Sequence, residues 1–160
     1  GIYRGKCTEL CGKNHGFMPV VVKVVPQDEY DIWVKEKKEA AFRMAELTEK
    51  NWTTAELTER GEGVYLKNCV ACHQVNGQGI QGIFPNLAGS DIVLNNKARN
   101  VEILMEGVQG AAMQSFANQL SEVDMAAVIT YTRQAWGNAE NGDGKIVIPK
   151  DIVEYNKPNI

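Results

Sequence analysis

The chain has 160 residues, 44% of them hydrophobic and 23% charged, with a formal net charge of −3. That size and balance suit one folded domain with appended segments rather than two full domains, and they exclude a general nucleic-acid binder. The longest apolar run, Met18-Pro19-Val20-Val21-Val22, is far too short to cross a membrane, and no signal-peptide pattern is seen. The expectation is a piece of a longer protein whose targeting segment lies elsewhere.

In chain order, the first signal is Cys7, Cys11, His15 and Met18, two thiols, an imidazole and a thioether within twelve positions. Copper prefers this soft ligand set; the plainer reading of Cys7 and Cys11 is a free pair or a disulfide. Residues 19–25 read as a strand ended by Pro26, with no partner strand evident, so it is expected to be disordered or to pair with a copy of itself. Residues 30–50 are rich in Glu, Lys and Ala, with apolar Ile32, Val34, Ala41, Met44, Ala45 and Leu47. They predict one or two helical turns leading into a longer, solvated helix that serves as a linker. Thr54-Ala55-Glu56-Leu57 opens the next helix, capped by Thr53 or Thr54 and running to about Asn68, with Leu57, Val64 and Tyr65 facing inward.

Cys69-Val70-Ala71-Cys72-His73 follows. C-x-x-C-H is the attachment signature of a c-type haem. Two thiols at this spacing reach the two vinyl groups of one porphyrin, and the adjacent histidine becomes the proximal iron ligand. The other readings are a thioredoxin-like dithiol, half a zinc site or a plain disulfide. A redox motif wants a βαβ context, and zinc wants a further Cys or His pair, whereas neither residue type follows His73.

Residues 76–82 are glycine-rich and predict a loop around the ring edge. Ser90-Asp91-Ile92-Val93-Leu94 reads as a short helical turn, and 97–107 as a helix with Val101, Leu104, Met105 and Val108 on one side and Gly107 as C-cap. An electron carrier's iron takes a second axial ligand, and methionine raises its potential. Met105 and Met125 lie in apolar-periodic helices and read as core. Met44 lies in the charged helix and Met18 in the soft-ligand cluster. Met113 follows Gly107-Val108-Gln109-Gly110-Ala111-Ala112, small residues that let backbone approach a flat ring, so Met113 is the candidate distal ligand; the alternative is a buried loop methionine that fills a gap. Ser121-Glu122-Val123-Asp124 reads as a capping box, with Asp for the usual Glu, opening a helix to Trp136 that Gly137 ends. Beyond it lie a polar, turn-rich stretch and then Ile146-Val147-Ile148-Pro149, which is expected to pack over the domain's edge. Net charge is +1 through Thr53, −3 from Thr54 to Trp136 and −1 beyond, so a mildly acidic middle would favour a basic partner.

From 54 to 136 the chain resembles a class I cytochrome c domain. Gly61 and Tyr65 stand four apart just before Cys69, as in that family's N-terminal helix, where the glycine allows close helix crossing. Gly82-Ile83-Phe84-Pro85-Asn86-Leu87 resembles the loop whose proline carbonyl accepts the Nδ1–H of the proximal histidine, which implies that Pro85 supports His73. Many relatives carry proline directly after the distal methionine; here Gln114 follows Met113. The fold so implied is mainly α, a few helices around one covalent haem c.

The stretch from Tyr3 to Pro19 resembles, nearly residue for residue, the ligand loop of the binuclear copper (CuA) centre in cytochrome c oxidase subunit II. That resemblance implies bridging thiolates from Cys7 and Cys11, with His15, Met18 and the backbone carbonyl of Glu9 completing the set. It also calls for an upstream histidine that is not in this sequence, so the copper centre is expected to be absent or incomplete here. The order copper loop, strand, linker, haem domain is similar to subunit II of caa-type oxidases. It implies a truncated end of the CuA cupredoxin β-sandwich (1–26), a charged helical linker (27–53), a cytochrome c domain (54–137) and a C-terminal tail on or near it (138–160).

The implied function is electron transfer. The haem domain would take electrons from an upstream donor, a cytochrome or a quinol-oxidising complex, and pass them to CuA. The fragment would carry no catalytic site of its own, and the other oxidase subunits would be its partners. Membrane attachment would come through a segment outside this sequence, placing the fragment at the periplasmic face of the bacterial cytoplasmic membrane. Rival readings are a diffusible c-type cytochrome, a haem sensor or peroxidase with an open distal site, and a copper storage or delivery module.

Overall fold

The computed structural model describes residues 1–9, 11–12 and 15–156. The chain divides into two compact units, Gly1–Met44 and Ala45–Ile160.

In the first unit, strand β1 (Ile2–Lys6) pairs antiparallel with β2 (Pro19–Lys23), Ile2 opposite Lys23 and Lys6 opposite Pro19. The expectation of an unpartnered strand is therefore corrected: five residues ahead of Cys7 supply the partner. Arg4, Gly5 and Lys6 hide that strand in the sequence, because they dilute any alternation. Both faces of both strands are exposed. A 3-10 turn, His15–Phe17, lies between the strands. Helix α1 is one continuous run, Gln27–Glu49, rather than short turns before a separate helix. Asp28 and Glu29 sit in its first turn, where the macrodipole favours negative charge. Glu39 pairs with Lys35 at 4.0 Å and with Arg43 at 3.9 Å, exposed i,i+4 contacts worth a few tenths of a kcal/mol each.

The second unit is built from α2 (Thr54–Asn68), α3 (Val70–His73), α4 (Asp91–Asn95), α5 (Lys97–Glu106), α6 (Glu122–Gln134), α7 (Asn138–Asn141) and α8 (Pro149–Tyr155). Local chemistry explains the starts. Thr53 Oγ1 accepts from the Glu56 backbone N–H at 3.2 Å, and the Glu56 carboxylate accepts from the Thr53 N–H at 2.8 Å, a complete capping box. Asn96 caps α5 through Arg99 N–H at 3.0 Å, and Gly107, at φ +77°, terminates it. Ser121 caps α6 through the Asp124 N–H at 3.1 Å. Only half of that box forms, because the Asp124 carboxylate instead accepts from the Ser121 hydroxyl and pairs with Arg60 of α2 at 2.7 Å.

Helices α2 and α6 cross with no space between their backbones. A Cβ on Gly61 would stand 2.1 Å from the Ala127 carbonyl oxygen. Leu57, Gly61 and Tyr65 are the buried positions of α2; Val64, expected to face inward with Leu57 and Tyr65, is only half-buried. Met105, Met125, Val101, Ala126 and Ile129 form the core, and Val147 and Ile152 join it with no exposure at all. The end of the chain is thus a core layer rather than an edge covering. Thr130 of α6 fixes it, donating to Val147 O at 2.9 Å and accepting from Val147 N–H at 3.0 Å. Arg133, 4% exposed, donates to the carbonyls of Val93, Leu94 and Lys145 and pairs with Asp143. Four acceptors for one guanidinium offset the cost of burying its charge. Helix α6 stops at Gln134 rather than Trp136, since Ala135 is extended and Trp136 turns to φ +57°.

Gly61→Ala is expected to destabilise the second unit by about 2 kcal/mol or more, because the obstacle is backbone rather than a movable side chain; denaturant unfolding measures it. Lys50 and the Thr53 cap lower the Glu56 carboxyl to about 2. Its contribution is therefore present above the unfolded carboxylate range and lost as pH falls from about 5 to about 2. Glu56→Gln is expected to lower the melting temperature at pH 7 and to leave it unchanged near pH 2.

Candidate functional site

Helix α2 delivers its last residues straight into a second, one-turn helix. Cys69 N–H bonds Tyr65 O at 2.8 Å, and the Cys69 carbonyl accepts from Cys72 N–H at 3.2 Å and His73 N–H at 3.0 Å. One tight turn therefore carries Cys69, Cys72 and His73 together. The Nδ1 of His73 lies 3.0 Å from the Pro85 carbonyl oxygen. Carbonyl oxygen only accepts, so Nδ1–H is the donor, which leaves Nε2 as the ring nitrogen that could face a metal. Burial, with Cys72 alongside, pushes the Cys69 thiol up to about 11 and keeps it protonated at neutral pH.

The loop after His73 is closed by its own backbone. Gly79 N–H bonds His73 O at 2.9 Å, Ile80 and Phe84 exchange bonds at 2.9 and 2.8 Å, and the Gly77 carbonyl receives Leu87 and Ala88. A Cβ on Gly79, at φ +64°, would stand 2.3 Å from Phe84 O and 2.5 Å from Pro85 O, so only glycine lets Pro85 reach the histidine. Asn138, 2% exposed, clasps the far end: Nδ2 donates to Leu87 O at 3.1 Å and Thr132 O at 2.7 Å, while Oδ1 accepts from Gly89 N–H at 2.8 Å. Sequence reasoning passed over Asn138 because it stands in a polar, turn-rich stretch. Its one signal was the position just after Gly137.

Met113 lies in a separate loop that is pinned to α5. Val108 N–H bonds Met113 O at 2.8 Å, Ser115 Oγ donates to Met105 O at 2.5 Å and Phe116 N–H to Leu104 O at 2.8 Å. Its side chain is half-buried, whereas Met105 and Met125 are spent in the core. Neither the stretch 68–90 nor the stretch 107–121 contains an Asp, Glu, Lys or Arg. The segments bearing His73 and Met113 are thus uncharged, and Val75, Ile80 and Ile83 stand exposed on the first. Two thiols and an imidazole on one turn, beside uncharged loops in which Gly77, Gly79 and Gly107 leave no room for a Cβ, fit a covalently attached haem.

In the first unit the hairpin base closes through Cys7 N–H to Met18 O at 3.2 Å. Cys7 and Cys11 Sγ lie 3.4 Å apart, Cys11 Sγ is 3.4 Å from His15 Nδ1 and 3.2 Å from Met18 Sδ, and Cys7 Sγ is 3.1 Å from the Glu9 carbonyl. The structure brings all five expected donors together, and the two thiols, the thioether and the imidazole among them fit copper. The Cys7 sulfur beside it raises the Cys11 thiol above its ordinary range.

Comparison with known proteins divides the chain in the same way. Residues 1–25 match the periplasmic domain of cytochrome C oxidase subunit II, and residues 56–131 match the family described as cytochrome C oxidase, cbb3-type, subunit III. A cytochrome c oxidase subunit 2 of Alkalihalophilus pseudofirmus is 33% identical over 143 residues, which cover 83% of this chain and 39% of that protein. One from Bacillus sp. (strain PS3) is 36% identical over 75 residues, 47% of this chain and 19% of that protein. The chain therefore spans well under half the length of these subunit 2 relatives. Cytochrome c-552 of Thermus thermophilus is 38% identical over 98 residues, 52% of this chain and 73% of that protein. The chain belongs to the cytochrome c family. The cytochrome c part follows the end of a subunit II periplasmic domain, the order read from the sequence, and its fold is mainly helical as expected.

Gly79→Ala in this cytochrome c domain is expected to push the Phe84–Pro85 backbone off His73 and to cost about 1–3 kcal/mol. Loss of hydrogen-exchange protection at His73 Nδ1–H, with the global fold retained, is the measurement.

Proposed function

We propose that this chain is the haem-bearing end of an oxidase subunit II, taking electrons from a soluble or membrane-bound donor on the periplasmic side and passing them to a CuA centre in the complete protein. The supporting observation is that one chain holds two metal-ready clusters. One is the C-x-x-C-H turn with His73 Nδ1 engaged by Pro85; the other is the hairpin joining Cys7, Glu9 O, Cys11, His15 and Met18. Haem c, when bound, supplies a one-electron iron centre; binuclear copper supplies the acceptor.

The residues of the chain do the rest. Cys69 and Cys72 anchor the porphyrin by thioether links, so retention does not depend on affinity. His73 presents Nε2, and the Pro85 carbonyl fixes its tautomer and raises its basicity. Met113 would hold the iron through its thioether, which would favour the reduced state and exclude exogenous ligands. Placing both clusters on one chain replaces a bimolecular encounter by an intramolecular one at high effective concentration. The donor, the other oxidase subunits and a membrane anchor complete the proposal, and the match of residues 1–25 to a periplasmic domain supports periplasmic placement. Among the described residues no helix is long and apolar enough to cross a membrane.

Met113→Ala in the haem-loaded protein is expected to lower the reduction potential and to let carbon monoxide bind the reduced form. An unchanged potential and no carbon monoxide adduct would remove Met113 from the assignment.

A further inference from the structure

Tyr65 and Trp136 lie outside every ligand set assigned above, yet both are tied to the two residues that follow the proximal histidine. Tyr65 has no exposure, and its hydroxyl donates to the Gln74 carbonyl at 2.5 Å. The indole Nε1 of Trp136 donates to the Val75 carbonyl at 3.2 Å. The two rings meet edge-on, with centroids 5.1 Å apart.

The backbone at both ends of this arrangement is unusual. Gln74 and Trp136 are the non-glycine residues of positive φ among those described, at +61° and +57°. Such conformations persist only where surrounding contacts over-determine them. Trp136 also stands against Gly77, where a Cβ would stand 2.4 Å from the indole ring. A buried hydroxyl, an indole and a glycine thus lock the main chain within four residues of His73.

Phenylalanine at 65 would fill the same space without reaching Gln74, so the packing of the helix crossing does not require the hydroxyl. The hydroxyl and the indole N–H are spent on carbonyls of the two residues that directly follow His73. We propose that Tyr65 and Trp136 are positioning residues for His73. They hold Gln74 and Val75 so that the imidazole keeps its bond to Pro85 and thereby its basicity toward iron. A more basic imidazole favours the oxidised state, so these two bonds set the reduction potential from outside the ligand shell. This rests on the reading of the C-x-x-C-H turn as a haem site.

The test uses the full chain matured with covalent haem, and compares it with Tyr65→Phe, Trp136→Phe and Tyr131→Phe. Tyr131 belongs to the same aromatic cluster, with centroids 5.4 Å from Tyr65 and 5.5 Å from Trp136. Reduction potentials and the hyperfine-shifted NMR signals of the His73 ring are recorded well below the melting temperature. Tyr65→Phe and Trp136→Phe are expected to raise the potential and move the His73 signals. Tyr131→Phe is expected to leave both in place, even if its melting temperature falls. Unshifted potential and signals in Tyr65→Phe, or equal shifts in Tyr131→Phe, overturn the proposal while leaving the haem reading intact. Failure of the unaltered chain to take covalent haem overturns both.

Discussion

The absence of a side chain at Gly61 is the constraint on which the cytochrome c domain depends. It lets α2 lie directly on the Ala127 carbonyl of α6, and that contact fixes where α2 ends. One turn later Tyr65 is sealed in the crossing, and its backbone carbonyl accepts from Cys69. The C-x-x-C-H turn therefore starts from a rigid point. The same crossing sets α6, whose Arg133 and Thr130 hold Asp143 and Val147, and whose far end leads to Asn138. Asn138 reaches back to Leu87 and Gly89, just past the proline that engages His73. Ligand geometry on one side of the domain thus follows from helix packing on the other.

The first unit solves a different problem. Five candidate donors are drawn together from a loop of twelve positions, and a two-stranded hairpin does it by closing its base between Cys7 and Met18. Its strands are exposed on both faces, so among the described residues they enclose no hydrophobic core. Convergence there comes from turn geometry and the ladder, while convergence around His73 comes from buried packing. Substitutions on the strand faces are accordingly tolerated differently from substitutions in the α2–α6 crossing.

Much of the haem domain was legible because its signals are local. The Thr53 cap, the Gly107 stop, the inward Leu57 and Tyr65, and the core roles of Met105 and Met125 follow from capping chemistry and helical period, and Gly61 from the family resemblance. What the sequence hid was non-local. Strand β1 carries no alternation and becomes a strand only because β2 can pair with it. Arg133 reads as a surface charge on α6, yet it is buried because acceptors arrive from α4 and from the segment after α7. Val147 and Ile152 sit in a stretch too short to show a period, and Val147 is held in the core by Thr130, seventeen residues earlier. For the candidate sites the motifs named the donors. Asn138 and the Tyr65 hydroxyl, which hold the loop that holds His73, had no motif to announce them.

The most direct measurement is acid–acetone extraction of the protein matured with its haem-attachment machinery, followed by an optical spectrum of the reduced protein. The account requires the haem to stay with the polypeptide and the reduced iron to show a low-spin spectrum unaffected by carbon monoxide. Haem that extracts into the solvent, or a colourless protein, would contradict covalent attachment at Cys69 and Cys72 and the function built on it.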